Sequence, residues 1–473
     1  MEINTNDSSA HIPATSIPEP QTLVACCSAT SVTACAATLP PQTLYTLTQL
    51  KGITPTCPDT CESPEECSKT LAAFQAECDA FQARQWYAHP SAVAAVEAVD
   101  AASATSATYV YSMDTVEARA GELEALEGVD GLFYAIKANS HPEILKTLHA
   151  RGVRFEVVSP GELDLVCDLL EELGGEADHE FRILYTPNFA PKEDYLAALD
   201  KPGVLLTIDN AYVLAEWGAE LAGANIMVRI DTGKGKGHHT YVQTSGIHSK
   251  FGIQVQDLGE IATLAATHGI NVAGLHTHTG SGIGDTETWS ENAAVLAQAA
   301  AEFFPSARIL DLGGGFSVPY KPWQAPLDMS LVSAALKAFK EAHPEYALWI
   351  EPGRYFVAEA GILVSRVTQI KDKGNGVRYL GTSAGMHALI RPALYSSYHH
   401  IVNASSLARS DSGASVFNVV GPICESGDTL AYARPLCGNV QASDLIVFAT
   451  AGAYGFTMSS SYNLRPISEH ILP

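Results

Sequence analysis

Between Leu132 and Ile350, short apolar runs alternate with segments of helical length, and this alternation restricts the fold more than any other feature. Repeated strand–helix–strand units indicate neighbouring strands that run parallel. The pattern predicts eight strands, at Leu132–Ala138, Arg154–Val158, Phe181–Thr186, Val204–Ile208, Asn225–Ile230, Asn271–His276, Ala307–Leu312 and Ala347–Ile350. Eight such strands favour a closed (β/α)8 barrel over an open doubly wound sheet, which usually has fewer.

After Arg354 the sequence becomes β-rich, with strand-like runs punctuated by Gly, Pro and Asn. These runs are Gly361–Ile370, Val377–Gly381, Val416–Val420 and Leu445–Thr450. They predict a second, mostly antiparallel domain, with which the strand-like Thr108–Ser112 is expected to pair. The expected organisation is an extension over 1–105, a strand and helix over 106–130 that pair with the β-domain, a barrel over 131–358 and a β-domain over 359–473.

The first hundred residues are rich in Ser, Thr, Ala and Pro and contain seven of the ten cysteines. The spacing of Cys57, Cys61 and Cys67 raises a zinc site or disulfides as alternatives, but paired C-x2-C hooks with a histidine pair are absent. We therefore expect reduced thiols in a poorly ordered extension. Since the first basic residue is Lys51, neither a secretory signal nor a transit peptide is indicated, and we expect a cytoplasmic protein.

The net charge of this 473-residue chain is −24, with 28 Lys plus Arg against 52 Asp plus Glu. Such a chain is repelled by phosphate backbones and anionic lipid, so nucleic acid and membrane surfaces are excluded as expected partners. No run approaches the roughly 20 apolar residues that span a bilayer. The remaining class of partner is a small molecule bound by a globular enzyme.

Residues with chemical functions fall at the predicted carboxyl ends of the strands, where a (β/α)8 barrel carries its catalytic groups. Lys137 lies in the apolar run LFYAIKAN. Burial there would lower the pKa of its amine, which suits formation of a Schiff base with an aldehyde cofactor. The alternative is a lysine at a strand end that simply reaches solvent.

Two turns after predicted strands support the first alternative. Gly313, Gly314 and Gly315 in DLGGGF form a turn through which backbone N–H groups can approach a phosphate. In EPGR, Glu351 offers a carboxylate to a pyridine nitrogen and Arg354 offers a cation to a phosphate or carboxylate. The alternative for EPGR is a surface ion pair.

The segment LHTHTGS contains His276 and His278, two positions apart and hence on one face of a strand. One imidazole can stack on an aromatic ring, and Gly280 with Ser281 can contact phosphate. A metal site is the alternative, but the sequence nearby lacks a third ligand in an H-E-x-x-H arrangement, so no metal is expected.

The β-domain carries three further motifs, RPALY, GPICESGD and GAYGFTMSSSY. Within them, Cys424 and Glu425 offer a thiol that can transfer a proton and a carboxylate that can bind an amine. A Cys-His-Asp nucleophilic enzyme is the alternative, although that mechanism gives Lys137 and the glycine turn no role.

Together and in this order, the motifs over residues 108–470 resemble the fold type III pyridoxal-phosphate decarboxylases, whose barrel is alanine racemase-like. Within them the sequence is most similar to the diaminopimelate decarboxylase family, and to its form fused behind an aspartate kinase. The segments GHHTYVQTSGIHSKFGI, EPGRYFVAEAG and GAYGFTMSSSYNLRP carry this last resemblance.

The resemblance implies pyridoxal 5′-phosphate as cofactor and assigns roles to particular residues. It makes Lys137 the Schiff-base lysine, Cys424 the proton donor, His278 the residue stacked on the ring and Glu351 the partner of the pyridine nitrogen. The remaining cofactor contacts implied are Glu156, Ser159, Gly280, Ser281, Gly313, Gly314, Gly315, Gly353, Arg354 and Tyr454. The implied substrate contacts are Arg354, Arg391, Tyr395, Glu425, Ser426 and Tyr454.

The implied reaction is decarboxylation of meso-2,6-diaminopimelate to L-lysine, the last step of lysine biosynthesis. Arg391 favours a substrate with a distal carboxylate, whereas ornithine-type enzymes place an acid there. Carboxynorspermidine, ornithine or arginine as substrate, and a non-catalytic regulatory homologue, remain alternatives. The family further implies a homodimer in which Cys424 and Glu425 reach the other barrel.

One stretch departs from the family pattern. Before RPALY the family has an aspartate and an asparagine-aspartate pair, whereas this chain has GTSAGMHAL over Gly381–Leu389. Hydrogen bonding around this turn is therefore expected to differ.

Overall fold

The computed structural model describes residues 85–88, 106–174, 181–233, 235, 249–374, 376–409, 414–437 and 439–472. The expected Cys-rich extension lies outside the described residues, apart from Gln85–Ala88, and so does most of the segment GHHTYVQTSGIHSKFGI.

The secondary structure alternates through the first half of the fold and is mostly β after Ile350. The strands are β1 Ala107–Ser112, β2 Gly131–Ala135, β3 Arg154–Val157, β4 Ile183–Tyr185, β5 Val204–Ile208, β6 Asn225–Asp231, β7 Ile253–Gln254, β8 Asn271–His276, β9 Ile309–Asp311, β10 Ala347–Ile350, β11 Gly361–Asp372, β12 Arg378–Thr382, β13 Ile401–Asn403, β14 Ala414–Val420, β15 Thr429–Cys437, β16 Leu445–Phe448 and β17 Ile467–Leu472. The helices are α1 Met113–Glu124, α2 Pro142–Ala150, α3 Pro160–Glu172, α4 Lys192–Leu199, α5 Ala211–Trp217, α6 Leu258–His268, α7 Thr288–Phe303, α8 Met329–Ala342, α9 Arg354–Val357, α10 Arg391–Tyr395 and α11 Ala404–Arg409.

Eight parallel strands close into a barrel. Their order is β5-β4-β3-β2-β10-β9-β8-β6, and β5 pairs with β6 to complete the ring, while β7 pairs with β6 outside it. All eight predicted strands are present, so the (β/α)8 prediction is confirmed. The first of them is shorter than predicted, because β2 ends at Ala135 and Ile136–Ala138 forms a 3-10 turn.

The second sheet has the order β13-β16-β11-β12-β14-β15, and β1 joins it beside β11. Most pairs are antiparallel, as predicted, but β12 with β14 and β1 with β17 are parallel. The predicted pairing of Thr108–Ser112 with this sheet is confirmed, since Tyr109 lies opposite Leu363.

Strand alternation explains why the inside of the barrel changes from apolar to polar. Residues two apart on a strand face the same side of the sheet. A buried apolar cluster lies at one level of the barrel and contains Phe133, Leu184, Leu205, Met227, Ile309 and Trp349. Two residues further along most of these strands the side chains are polar, so the polar layer lies at the carboxyl end.

A short part of the amino-terminal segment packs on the β-sheet. Trp86–Ala88 forms a 3-10 turn, and the Tyr87 ring is buried in a cluster with Val110, Val364 and Val447. Trp86 donates its indole N–H to the carbonyl oxygen of Glu359 at 3.0 Å. This turn contacts the sheet, and the expectation for the rest of the extension stays a prediction.

Within the described part of the chain, none of the helices has both the length and the apolar character that crossing a membrane demands.

Candidate active site

Polar side chains from all eight barrel strands meet at the carboxyl end of the barrel. Each strand, or one of the two residues after it, contributes one: Lys137, Glu156, Thr186, Asp209, Arg229, His276, Asp311 and Glu351. Because these positions face the barrel interior, the apolar walls of neighbouring strands surround a cluster of ionisable groups.

A cavity of about 460 Å³ opens onto this cluster. The predicted site residues that line it are Lys137, Glu156, His278, Ser281, Gly315, Glu351, Gly353, Arg354, Arg391, Tyr395 and Tyr454. Further lining residues include Thr186, Asn188, Arg229, Phe251, His276 and Met458. The barrel rim and the RPALY helix α10 therefore bring most of the predicted residues to one place.

Lys137 reaches the cavity from the turn after β2. Its Nζ lies 2.6 Å from Oε2 of Glu156, whose Oε1 accepts a hydrogen bond from the Thr186 hydroxyl. Burial alone would lower the pKa of Lys137, but the carboxylates of Glu156 and Glu351 outweigh it and raise that pKa above its ordinary value. The expectation of a lowered pKa was wrong, because it counted burial and not the adjacent carboxylates.

Glu351, His276 and Asp311 form a buried cluster beside Lys137. His276 Nε2 lies 3.2 Å from Oε2 of Glu351, and the EPGR carboxylate is not part of a surface ion pair. Burial raises the pKa of Asp311, and the charge of Glu351 raises it further. Burial opposes ionisation of Glu351 too, but His276 and Lys137 lower its pKa. The two pKa shifts run in opposite directions, which favours Glu351 as the ionised member of the pair.

These three side chains place potential ligand atoms within 4.8 Å of one another, which is close enough to hold a metal ion. The sequence indicated His276 and His278 as the alternative metal ligands instead, because Asp311 and Glu351 come from other strands. Protonation of Asp311, whose pKa burial raises, accounts for the same arrangement without a metal.

The glycine turn after β9 packs tightly against two neighbouring segments. Gly313 and Gly315 have φ of 68° and 96°, which favours glycine. A Cβ at Gly314 would overlap the carbonyl oxygen of Glu351, and one at Gly315 would overlap that of Gly280.

His278 is joined to this turn. The Gly314 N–H donates to His278 Nδ1 at 3.2 Å, so that nitrogen is the acceptor. His278 follows β8 rather than lying within it, and therefore does not share a strand face with His276 as predicted. Burial lowers the pKa of His278, as do Arg229 and Lys137, which keeps the ring neutral.

Arg354 and Arg391 converge on the opposite side of the cavity. Arg354 donates from Nε and Nη2 to Ser281 Oγ at 3.2 and 3.0 Å, and its Cζ lies 4.7 Å from the centre of the Tyr454 ring. Tyr454 is fixed through its N–H, which donates to the carbonyl oxygen of Ala138 at 2.8 Å. The β-domain thereby contacts the turn that carries Lys137.

Seven predicted residues are not among those that line this cavity: Gly280, Gly313, Gly314, Ser159, Cys424, Glu425 and Ser426. Ser159 caps helix α3 by accepting from the Glu162 N–H at 3.3 Å. Cys424, Glu425 and Ser426 lie together on an exposed loop of the β-domain, where the Cys424 N–H donates to Oδ1 of Asn463 at 2.8 Å. One chain therefore does not bring its own Cys424 to its own Lys137.

Asp428 ties the Cys424 loop to the segment that departs from the family pattern. Its Oδ1 accepts from the Met386 N–H and its Oδ2 from the Ile423 N–H, both at 2.6 Å. A Cβ at Gly421 would overlap the backbone of Gly385, so the two loops touch directly. Hydrogen bonding in the departing stretch is supplied from a neighbouring loop.

Sequence analysis missed several residues of the site. Thr186, Asp209 and Arg229 each terminate or follow an apolar run, and this position is a usable signal once the barrel is predicted. Tyr320 lies in the loop after β9 and His399 beyond α10, and only the three-dimensional fold places them beside Arg354 and Arg391.

Similarity to known proteins agrees with this geometry. Residues 114–358 match the family model described as the pyridoxal-binding domain of pyridoxal-dependent decarboxylases. The chain is 35% identical over 353 residues to the diaminopimelate decarboxylase of Methanothermobacter thermautotrophicus, covering 72% of this chain and 79% of that protein. It is 30% identical over 367 residues to the enzyme of Escherichia coli K12, covering 74% and 85%.

A solved structure shares the fold as well. The crystal structure of diaminopimelate decarboxylase from Helicobacter pylori complexed with L-lysine superposes with a TM-score of 0.71 at 27% identity, covering 79% of this chain and 93% of that one.

Proposed function

The chain belongs to the pyridoxal-dependent decarboxylase family, and we propose that it decarboxylates meso-2,6-diaminopimelate to L-lysine and CO2. Curated diaminopimelate decarboxylases are 30% identical or more to it over most of its length, and the similar Helicobacter pylori structure holds L-lysine. The observation that carries the proposal is the position of Lys137 at the barrel rim, with Glu351 and Arg391 on the same cavity.

The residues present fit pyridoxal 5′-phosphate. Oε1 of Glu351 is buried and has no partner within the described part of the chain, so it can accept from a protonated pyridine nitrogen. The glycine turn leaves no room for side chains, which lets a phosphate approach its backbone. Lys137 Nζ supplies an amine about two-fifths exposed to the cavity.

The proposed cofactor contacts follow from these positions. Lys137 would anchor the aldehyde, Glu351 would face the ring nitrogen and His278 would lie against the ring. Ser281, Tyr454 and the glycine turn would hold the phosphate, and Arg354 would act on it through Ser281, to which it donates. Bound there, pyridoxal phosphate supplies an electron-withdrawing ring that accepts the electron pair released when CO2 departs.

The chain's own groups then handle protons and charge. Glu156 Oε2 lies within hydrogen-bond distance of Lys137 Nζ and can take a proton from it. His276 and Lys137 lower the pKa of Glu351, which favours a negative charge there, whereas burial raises the pKa of Asp311. Arg354 and Arg391 bind the carboxylate that the substrate retains, and Cys424 donates the proton that replaces the lost carboxylate.

Product analysis tests this function directly. Purified protein supplied with pyridoxal phosphate should release CO2 and L-lysine from meso-diaminopimelate, and neither CO2 nor an amine from ornithine, arginine or carboxynorspermidine. Turnover of one of those three instead would assign a different substrate to the same decarboxylation reaction. Cofactor bound without CO2 release from any of the four would favour a regulatory homologue.

We propose further that the active unit is a homodimer, with Cys424 and Glu425 completing the partner's site. Cys424 is exposed, and Asn463, which holds its N–H, is followed by Leu464, 88% exposed. A large apolar side chain beside a reactive thiol supports an interface at this loop.

Complementation tests the shared site. Lys137→Ala and Cys424→Ala chains should each be inactive alone, yet the mixed dimer should show about half of wild-type activity, since one of its two sites is intact. The assay is CO2 release after coexpression of differently tagged chains and isolation of the mixed dimer.

The matched control for complementation pairs Lys137→Ala with Glu351→Gln, both on the barrel. Every site in that mixture carries one of the two changes, so no recovery is expected. Recovery in the control, or none in the first mixture, contradicts the shared site.

Three finer points also remain proposals. The similarity to the form fused behind an aspartate kinase is supported by EPGRYFVAEAG and GAYGFTMSSSYNLRP. A cytoplasmic location is supported by similarity to bacterial enzymes such as that of Escherichia coli. The domain boundaries after residues 105, 130 and 358 are supported by the change from parallel barrel to second sheet.

A further inference from the structure

Two buried guanidinium groups on one side of the cavity lack a carboxylate partner. Arg354 is 7% exposed and Arg391 only 1%. Among the residues that the structure describes, neither forms an ion pair with Asp or Glu. Buried cations without counter-charge are costly, and two close together repel each other. The pair must therefore be held by other groups.

Tyr320 is the group between them. Nη1 of Arg354 donates to the Tyr320 hydroxyl at 2.6 Å, and Cζ of Arg354 lies 5.8 Å from the centre of the ring. Cζ of Arg391 lies 4.8 Å from the same centre. One phenol thus touches both guanidiniums, through its oxygen and through its ring.

The electrostatics agree with this contact. Burial alone would raise the pKa of Tyr320, but the charges of Arg354 and Arg391 outweigh it and lower that pKa. The two guanidinium charges stabilise negative charge on the Tyr320 oxygen, as expected for a phenol packed between them.

His399 holds Arg391 from the other side. His399 Nδ1 lies 2.9 Å from the carbonyl oxygen of Ala449, which can only accept, so Nδ1 carries the hydrogen. Nε2 is then the acceptor for Nη1 of Arg391, at 3.0 Å. Burial and the charge of Arg391 lower the pKa of His399 far enough to keep it neutral.

Tyr320 itself is fixed by its loop and by His399. Its N–H donates to Oε1 of Gln324 at 3.0 Å, and its ring meets that of His399 edge to face with centres 5.5 Å apart. The loop after β9, the EPGR turn and helix α10 are thereby joined at one phenol. Arg391 has four further N–H hydrogens with which to meet a ligand.

We infer that Tyr320 is a positioning residue for substrate specificity, which holds Arg354 and Arg391 at the spacing that receives one carboxylate of the substrate. This inference rests on the proposed function, because it assigns Tyr320 to the carboxylate that meso-diaminopimelate retains. The residue acts on ground-state binding of that carboxylate and has no part in the reaction at the other end of the molecule.

Tyr320→Phe tests the inference, because it removes the hydroxyl that accepts from Arg354 and keeps the ring that faces Arg391. The probes are L-lysine, which has the retained carboxylate, and cadaverine, which lacks it. Binding to the cofactor-loaded enzyme is followed by the change in cofactor absorption. We expect L-lysine to bind about tenfold more weakly, as for loss of one charge-assisted hydrogen bond, while cadaverine binding stays unchanged.

Kinetics provide a second measurement on the same variant. The KM for meso-diaminopimelate should rise with the lysine dissociation constant while kcat is retained, since only ground-state binding is altered. Tyr212→Phe is the matched control, because Tyr212 is an exposed residue on α5 outside the cavity. It should change neither probe.

The outcomes separate two failures. The role of Tyr320 would be overturned if Tyr320→Phe bound both probes as tightly as the wild type does, or bound both more weakly by the same factor. Wild-type turnover is measured separately, and failure of the wild type to convert meso-diaminopimelate would overturn the proposed function instead.

Discussion

Lys137→Ala protein should lose decarboxylation by a factor on the order of 10⁴ or more, because it lacks the amine that anchors the cofactor. Lys137 is the lysine that lines the cavity, at the end of the turn after β2. The measurement is initial CO2 release from meso-diaminopimelate, together with cofactor retained by the chain after borohydride reduction and denaturation. The wild type should retain it and the variant should not.

Two controls separate covalent anchoring from charge. Lys137→Arg keeps a cation beside Glu156 but cannot bond to an aldehyde, so it should be as inactive as the alanine variant. Lys146→Ala removes a partly exposed lysine of α2, which pairs with Glu143 and Glu172, and should leave activity intact. Activity in the arginine variant would show that Lys137 acts through its charge alone.

Glu351→Gln should lower kcat by about 10²–10³-fold, the range found for loss of one fixed electrostatic contact in a buried site. Glutamine has nearly the same shape but no charge, and Asp311 cannot replace that charge because its own pKa is raised. A neutral neighbour would leave the pyridine nitrogen unprotonated and the ring a poorer electron acceptor. Steady-state kinetics at saturating cofactor measure the effect.

Glu345→Gln is the control for this change, since Glu345 is about half exposed and its side chain pairs with His343 at 3.6 Å. It should have wild-type kcat. An unchanged kcat in Glu351→Gln, with cofactor fully bound, would show that Glu351 is not the partner of the ring nitrogen.

The periodicity of short sequence segments was enough to predict the barrel and the functional residues at its carboxyl end. Strand periodicity located all eight strands, and the turns DLGGGF and EPGR fell where the barrel places its cavity. The pKa of Lys137 was predicted wrongly. Its burial can be inferred from the apolar strand, whereas its contact with Glu156 on the next strand cannot be inferred from local sequence. Tyr320 and His399 gave no signal, since neither stands in a motif and their partners come from distant segments.

The position of strand β1 sets the order in which the molecule can be completed during synthesis. Tyr111 pairs with Gly361 on one side and with Ile471 on the other, so β1 lies between β11 and β17. The ribosome has already made the whole barrel when β10 emerges, but β1 must wait for β17 before both its edges are covered. Until then its free edge can pair with another nascent chain, and the barrel is expected to fold first while the second sheet closes only after β17 has been made.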